Sequence, residues 1–140
     1  MFTKDLLKEE FYAIGVRPGD VLFVHSAYST LGKAPGGVEG GPSTVNEALL
    51  ELLGPEGTLI MPTFNLNFLK GEVWDIRHTP SQMGIMTELV RLDPRAKRMF
   101  HPIYSVAAIG KLADEIAAIR STDCFGETTI YKKLLDWKAK

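Results

Sequence analysis

The chain has 140 residues, of which 45% are hydrophobic and 24% charged, with a net charge of −1; this is the length and make-up of one globular domain with a sizeable core. Acids and bases are interspersed and no basic stripe runs along the chain, which argues against a nucleic-acid partner. A single cysteine, Cys124, excludes an internal disulfide, no apolar run approaches the ~20 residues of a membrane span, and the charged, amphipathic start MFTKDLLKEE is not a signal core, so a soluble cytoplasmic protein is expected.

Leu6, Leu7, Phe11 and Ile14 recur at helical spacing and predict a first helix, ended by Gly15. After a turn at Arg17–Asp20, Val21–Val24 reads as a strand that breaks off into His25, Ser26, Ser29 and Thr30. The glycine-rich GKAPGGVEGGPS (residues 32–43) has no regular period. Thr44 and Glu47 have capping-box spacing ahead of a helix carrying Val45, Ala48, Leu49, Leu52 and Leu53 on one face. Thr58–Met61 is the next strand, and a right-handed parallel crossover between the two is expected.

The segment Thr63–Thr79 follows neither period, and a loop of that length inside a domain points to function. Pro80-Ser81 is expected to open a helix with Ile85, Met86, Leu89 and Val90 apolar, and the basic Arg95–Arg98 reads as a solvated loop or helix end. A third strand is predicted at Ser105–Ile109, then a helix through Ala113 and Ile116, and a last helix from Ile130 to Trp137. The class is α/β: a single domain, 1–140, with a mainly parallel sheet and flanking helices. Its tail KLLDWKAK arrives where the alternation would next supply a strand, so the expectation is an incomplete version of a larger α/β fold.

Several common sites are absent. The glycine loop lacks GxxxxGK[ST] and GxGxxG, Ser26 is not in GxSxG, and His25, His78 and His101 have no metal-ligand spacing, so no metal is expected. What remains is a set of polar residues at strand ends and helix starts, where parallel sheets usually bind ligands. His25 at the end of a strand reads as a core residue, and His78 as structural. Tryptophans 74 and 137 read as packing.

Five blocks then resemble, in order, the aminoglycoside 3-N-acetyltransferase (antibiotic N-acetyltransferase) family: GDVLFVHSAYSTLG, GGPSTVNEALLELLGPEGTLIMPTF, DIRHTPSQMGIMTELVR, HPIYSVAAIGKLADEI and CFGETTIYKKLLD. The resemblance is to its N-terminal, CoA-binding half. It implies acetyl transfer from acetyl-CoA to an amino group of an aminoglycoside or other amino sugar. It places Ser26, Tyr28, Ser29, Thr30 and Leu31 along the CoA arm, and Ser81, Met83 and Gly84 beside the pantetheine. Phe64, Asn65 and Asp75 would face the acceptor, and His101 with Ser105 would sit near the reaction centre. Family members carry, in a second half, a further strand and a histidine–glutamate pair that resembles general-base machinery; this chain has no counterpart. The alternatives are a catalyst in which His101 substitutes and a truncated, non-catalytic CoA-binding module or fragment. A serine hydrolase is disfavoured because adjacent His25 and Ser26 would point to opposite faces of a strand. An unpaired sheet edge would favour self-association, such as a homodimer.

Overall fold

In the computed structural model, which describes residues 1–140, the elements run α1 (Lys4–Ala13), β1 (Val21–Phe23), α2 (Tyr28–Leu31), α3 (Pro42–Leu53) and β2 (Thr58–Pro62). A 3-10 turn at Asn67–Lys70 precedes α4 (Ile85–Leu92), β3 (Lys97–Arg98), β4 (Val106–Gly110), α5 (Ala113–Ala117) and α6 (Ile130–Asp136). β2 is the centre of the core, with every side chain buried. Its alternation sends Leu59 and Met61 to one face and Ile60 to the other, as a period of two requires. β4 repeats the pattern, with Ala107 and Ile109 on the first face and Val106 and Ala108 on the second. The amphipathic helices α1, α3 and α4 cover the first face through Leu7, Val45, Leu49, Met86 and Val90, while α5 and α6 cover the second through Ile116, Ile130 and Leu134. The result is a sheet between two helical layers.

The four strands lie in the order β1-β2-β4-β3. β1 and β2 are parallel, joined by the expected helical crossover. The remainder of the sheet is not parallel: β4 runs antiparallel to both β2 and β3. The reason is the connection. Only residues 99–105 separate β3 from β4, far fewer than the dozen or more that a parallel crossover needs. That hairpin inserts β4 between β2 and β3, and makes a strand of Lys97–Arg98, a stretch expected to be solvated. Where β4 leaves the sheet, Gly110 has φ +127°, and a Cβ there would stand 2.2 Å from the Gly57 carbonyl oxygen. No side chain fits that approach.

Two helix starts also differ from expectation. α3 begins at Pro42 behind Gly41, because proline suits the first helical position. Thr44 therefore lies inside the first turn, and Glu47 pairs with Arg95 at 2.5 Å instead of closing a capping box. α4 begins at Ile85, capped by Gly84; Pro80 and Ser81 belong to the turn before it. Beyond α6 the chain returns to the outer edge of β1, where Lys140 N–H donates to the Val21 carbonyl (2.9 Å) and Phe23 N–H donates to the Lys140 carbonyl (2.8 Å).

Candidate functional site

The C-terminal ends of β1 and β2 and the start of β4 lie at one end of the sheet, and the residues beyond them build the candidate site. β1 ends at Phe23, although Val24 N–H still donates to Ile60 O at 3.0 Å. The chain then leaves the sheet through His25, Ser26 and Ala27 into the single turn α2. A cavity of about 280 Å³ opens beside this exit. Its inner wall is apolar, built from Leu22, Val24, Val45, Leu49 and Met86, and its rim carries His25, Ser26, Tyr28 and Leu31. Ser29 and Thr30 are exposed on α2 and Ser26 is half-buried. No side-chain hydrogen bond within the chain engages these three hydroxyls, unlike those of Thr63, Ser81, Thr87 and Ser105. His25 is exposed, contrary to its reading as a core residue. Its ring packs edge-on against Phe23 (4.7 Å) and Phe64 (6.3 Å).

The irregular segment beyond β2 is held down by one half-buried cation. Arg98, on β3, donates through Nε to the Thr63 and Ser105 hydroxyls (both 3.2 Å). Its remaining nitrogens donate to the carbonyls of Thr63 (3.0 Å), Ile76 (3.1 Å) and Thr79 (2.6 Å), and its guanidinium lies 5.0 Å from the Trp74 ring. Burial, with repulsion from Arg91, lowers its pKa to about 10 against the pull of Glu88 and Asp75, so it stays charged at neutral pH. A guanidinium so placed needs its donors satisfied, and three loop carbonyls do this. A second tie is the bidentate Glu88–Arg91 pair (2.8 and 2.6 Å). Glu88 also accepts from Ser81 N–H at 2.8 Å, and Arg91 donates to the Arg77 carbonyl at 2.7 Å.

Between these ties lies a polar hollow of about 450 Å³, walled by Asn65, Asn67, Glu72, Trp74, Asp75 and His78 among others. The Trp74 indole N–H is buried without a partner. Asp75 faces the hollow, but its Oδ1 accepts from the backbone N–H of Arg77 (2.7 Å) and His78 (2.9 Å) and lies 3.0 Å from His78 Nδ1. The His78 and Arg77 N–H bonds hold its carboxyl below the usual range. Buried Asn65 donates to Pro80 O (2.9 Å) and accepts from Asn67 N–H (2.9 Å). Phe64 sits between the two regions, 5.2 Å from Tyr104, with its carbonyl bonded to Gln82 N–H at 2.9 Å.

His101 and Ser105 lie close by, and both are buried. His101 Nδ1 accepts from the N–H of Ile103 (3.1 Å) and Tyr104 (2.9 Å), so that nitrogen is unprotonated and the proton belongs to Nε2, which has no partner. Burial pushes its pKa below the ordinary imidazole range, opposed by the Asp123 backbone. The Ser105 hydroxyl contacts the Thr63 hydroxyl (2.8 Å), donates to the Thr63 carbonyl (3.0 Å) and accepts from Arg98. Ser81 is tied to α4 through Thr87 (2.7 Å) and accepts from Met83 N–H at 3.1 Å. Met83 is half-buried, and exposed Gly84 caps the helix with φ +116°. His78 bonds to Asp75, a local structural tie.

Three groups of sequence-selected residues are thus brought to one end of the sheet: the β1 exit, the 64–84 segment, and His101 with Ser105. Sequence reasoning missed Arg98, whose only signal was an arginine directly before the buried Met99; Trp74 does pack, edge-on against Phe100 at 5.3 Å. The family model described as aminoglycoside 3-N-acetyltransferase matches residues 23–140. Among curated relatives, the chain is 32% identical to the prophage-derived aminoglycoside N(3')-acetyltransferase-like protein YokD of Bacillus subtilis, covering 81% of this chain and 48% of that protein. It is 36% identical to aminoglycoside N(3)-acetyltransferase IV of a Salmonella species over 74% of this chain and 38% of that one. The chain therefore spans about half the length, or less, of the relatives it matches. The YokD crystal structure superposes with a TM-score of 0.83 at 29% identity, over 95% of this chain and 60% of that one. The fold also matches that of AAC-IIIb in a binary complex with CoASH, with a TM-score of 0.84 at 24% identity, over 96% and 56% of the two chains. A variant of AAC(3)-IVa in complex with apramycin superposes at 0.74 with 32% identity, over 86% and 48%. No helix here is long and apolar enough to cross a membrane. With the family model matching residues 23–140, most of the chain, this chain belongs to the aminoglycoside 3-N-acetyltransferase family.

Proposed function

We propose that this chain forms the coenzyme side of an acetyl-CoA-dependent N-acetyltransferase whose acceptor is an amino group of an aminoglycoside or related amino sugar. The observation that carries the reading is the β1 exit: three hydroxyls free of internal bonds, Ser26 lining an apolar cavity and Ser29 and Thr30 exposed on the adjoining turn α2. CoA fits such a place in kind, since its arm alternates amides, which need polar partners, with alkyl segments, which need apolar wall. Ser26, Ser29 and Thr30 supply the polar contacts, Tyr28 and Leu31 flank the arm, and Ser81, Met83 and Gly84 bound it on the α4 side. The thioester, once bound, supplies an activated acetyl group. The amine nitrogen bonds to the thioester carbonyl carbon, the carbon–sulfur bond breaks, and the amine's proton passes to a base. Trp74 Nε1 and the free oxygen of Asp75 serve the acceptor's hydroxyl and ammonium groups, with Phe64 packing between acceptor and coenzyme. Asn65 lines the same hollow, its amide held by Pro80 and Asn67 with one N–H left for the acceptor.

A second reading is favoured by one observation. The unprotonated nitrogen of His101 already accepts two N–H groups, and the Ser105 hydroxyl is locked by Thr63 and Arg98, so neither is placed to take the amine's proton. In that reading the chain binds CoA without turning it over, and His101 and Ser105 are positioning residues. Calorimetric titration with CoASH tests the shared part; thiol release from acetyl-CoA with apramycin as acceptor separates the two. Saturable binding with turnover supports the enzyme, binding alone supports the module, and a folded chain that binds no CoASH overturns both.

A further inference from the structure

The contact between α3 and α4 leaves one buried polar atom unused. Asn46, on α3, is only 5% exposed, and its Nδ2 donates to the Met86 carbonyl of α4 at 3.0 Å. That bond fixes which way the amide points, because the flipped amide would set two oxygens against each other. Oδ1 is left buried with no partner, a costly state for a carbonyl oxygen. Asn46 lines a cleft of about 150 Å³ between the two helices and Met86 does not, so the oxygen is the end of the amide turned to the cleft. A single water needs only ~15 Å³ of such space. The other polar groups of the cleft are acceptors too. Glu47 and Asp93 line it, and Arg95 holds both Asp93 oxygens and Glu47 Oε1. Glu47 Oε2 is left without a partner, and two carboxylates with one guanidinium leave one negative charge uncompensated. Next along α3, Glu51 and Asp5 are balanced by Lys4 and Lys8. The Ser43 hydroxyl spends its proton on the Gly40 carbonyl (3.1 Å). The rest of the lining is apolar, with Leu50, Leu89 and Val90.

We propose that the α3–α4 cleft binds a small alkylammonium ion, whose N–H groups donate to Asn46 Oδ1 and Glu47 Oε2 and whose alkyl body lies on Leu50, Leu89 and Val90. The chemistry of the lining selects this class. An anion would meet two carboxylates and no free donor. A divalent metal ion takes six or more oxygen ligands, and half of this wall is hydrocarbon. A sugar would set its hydroxyls against the apolar side chains without partners. One positive charge with several N–H donors on a short hydrocarbon answers the orphaned oxygen, the uncompensated charge and the apolar wall together. The cleft shares no lining residue with the cavity at the β1 exit, and the inference does not rest on coenzyme binding.

The test titrates the isotope-labelled 140-residue chain with n-butylammonium chloride and follows the Asn46 side-chain amide and the Leu89 methyl groups by NMR. The expected result is saturation at these positions with a midpoint on the order of 1 mM, an affinity that so few non-hydrogen atoms can supply. 1-Butanol, which keeps the body and loses the charge, binds about tenfold or more weakly, and tetramethylammonium, which keeps the charge and has no N–H, does not saturate. Glu47→Gln, whose exposed ion pair contributes little to stability, weakens butylammonium about tenfold. Asn46→Leu, of similar size, abolishes binding, and Glu47→Gln decides alone if that variant does not fold. Absence of saturation, with a cleft that holds water only, overturns the proposal. So does equal binding of tetramethylammonium, or an affinity indifferent to Glu47→Gln.

Discussion

Two regions of this molecule are rich in hydroxyls, and they use them in opposite ways. At the β1 exit, Ser26, Ser29 and Thr30 bond to nothing in the chain. Around Arg98, the hydroxyls of Thr63 and Ser105 bond to one another and to a half-buried guanidinium, and Ser81 bonds to Thr87. A hydroxyl already paired in the interior stabilises the fold and has little left for a ligand, while one held at a cavity rim without a partner bonds to water until a ligand replaces it. Residue type alone therefore does not mark a site; what matters is whether the fold has already spent the donor.

The sharpest way to break the comparison is Arg98→Met. Removing the guanidinium leaves the Ile76 and Thr79 carbonyls without their side-chain donor and takes one partner from Thr63 and Ser105, and stability should fall by about 3 kcal/mol, or roughly 10 °C in thermal midpoint. A variant within a degree or two of the parent would show that the loop is anchored otherwise. Ser105→Ala is smaller: the lost bonds to Thr63 and Arg98 should cost about 1–3 kcal/mol in urea unfolding. Ser26→Ala with Ser29→Ala should do the reverse, leaving stability within about 0.5 kcal/mol while weakening CoASH roughly 10- to 30-fold by calorimetry. Equal effects of the two serine sets on stability would erase the distinction drawn between the regions.

The smallest effect is a pH dependence. Burial lowers the pKa of His101 in the folded chain, so the unfolded chain binds the extra proton first as pH falls through the ordinary imidazole value of about 6.5. Stability is therefore full above that value and declines below it, until the folded state also protonates. His101→Asn, whose Oδ1 can accept from Ile103 and Tyr104, should flatten this slope between about pH 7 and 5 in melts. An unchanged slope would place the titration elsewhere.

Much of the local structure is legible in the sequence. The apolar periods at Leu6–Ile14 and Val45–Leu53 become α1 and α3, the runs at Val21 and Thr58 become strands β1 and β2, and the last helix falls at Ile130–Asp136. These elements depend on spacing and on breakers such as Gly15 and Gly54-Pro55, which act over a few residues. The hydroxyl cluster after β1 and the irregular segment after β2 also stand out as departures from periodicity.

Strand direction and side-chain partnership were decided only in three dimensions. The two-residue β3 is too short to show a period, so the hairpin that makes the sheet mixed leaves almost no trace in the chain. The role of Arg98 depends on carbonyls at positions 63, 76 and 79, which become its neighbours only once β3 pairs with β4 and the loop closes over it. Likewise, nothing in the letters distinguishes Ser26 from Ser105, because a hydroxyl's freedom is set by partners distant in sequence. The sequence by itself determined the longer helices, the buried strands and the family. The tertiary structure decided which polar groups the fold consumes, because hydrogen bonds between distant residues exist only after the core has brought them together.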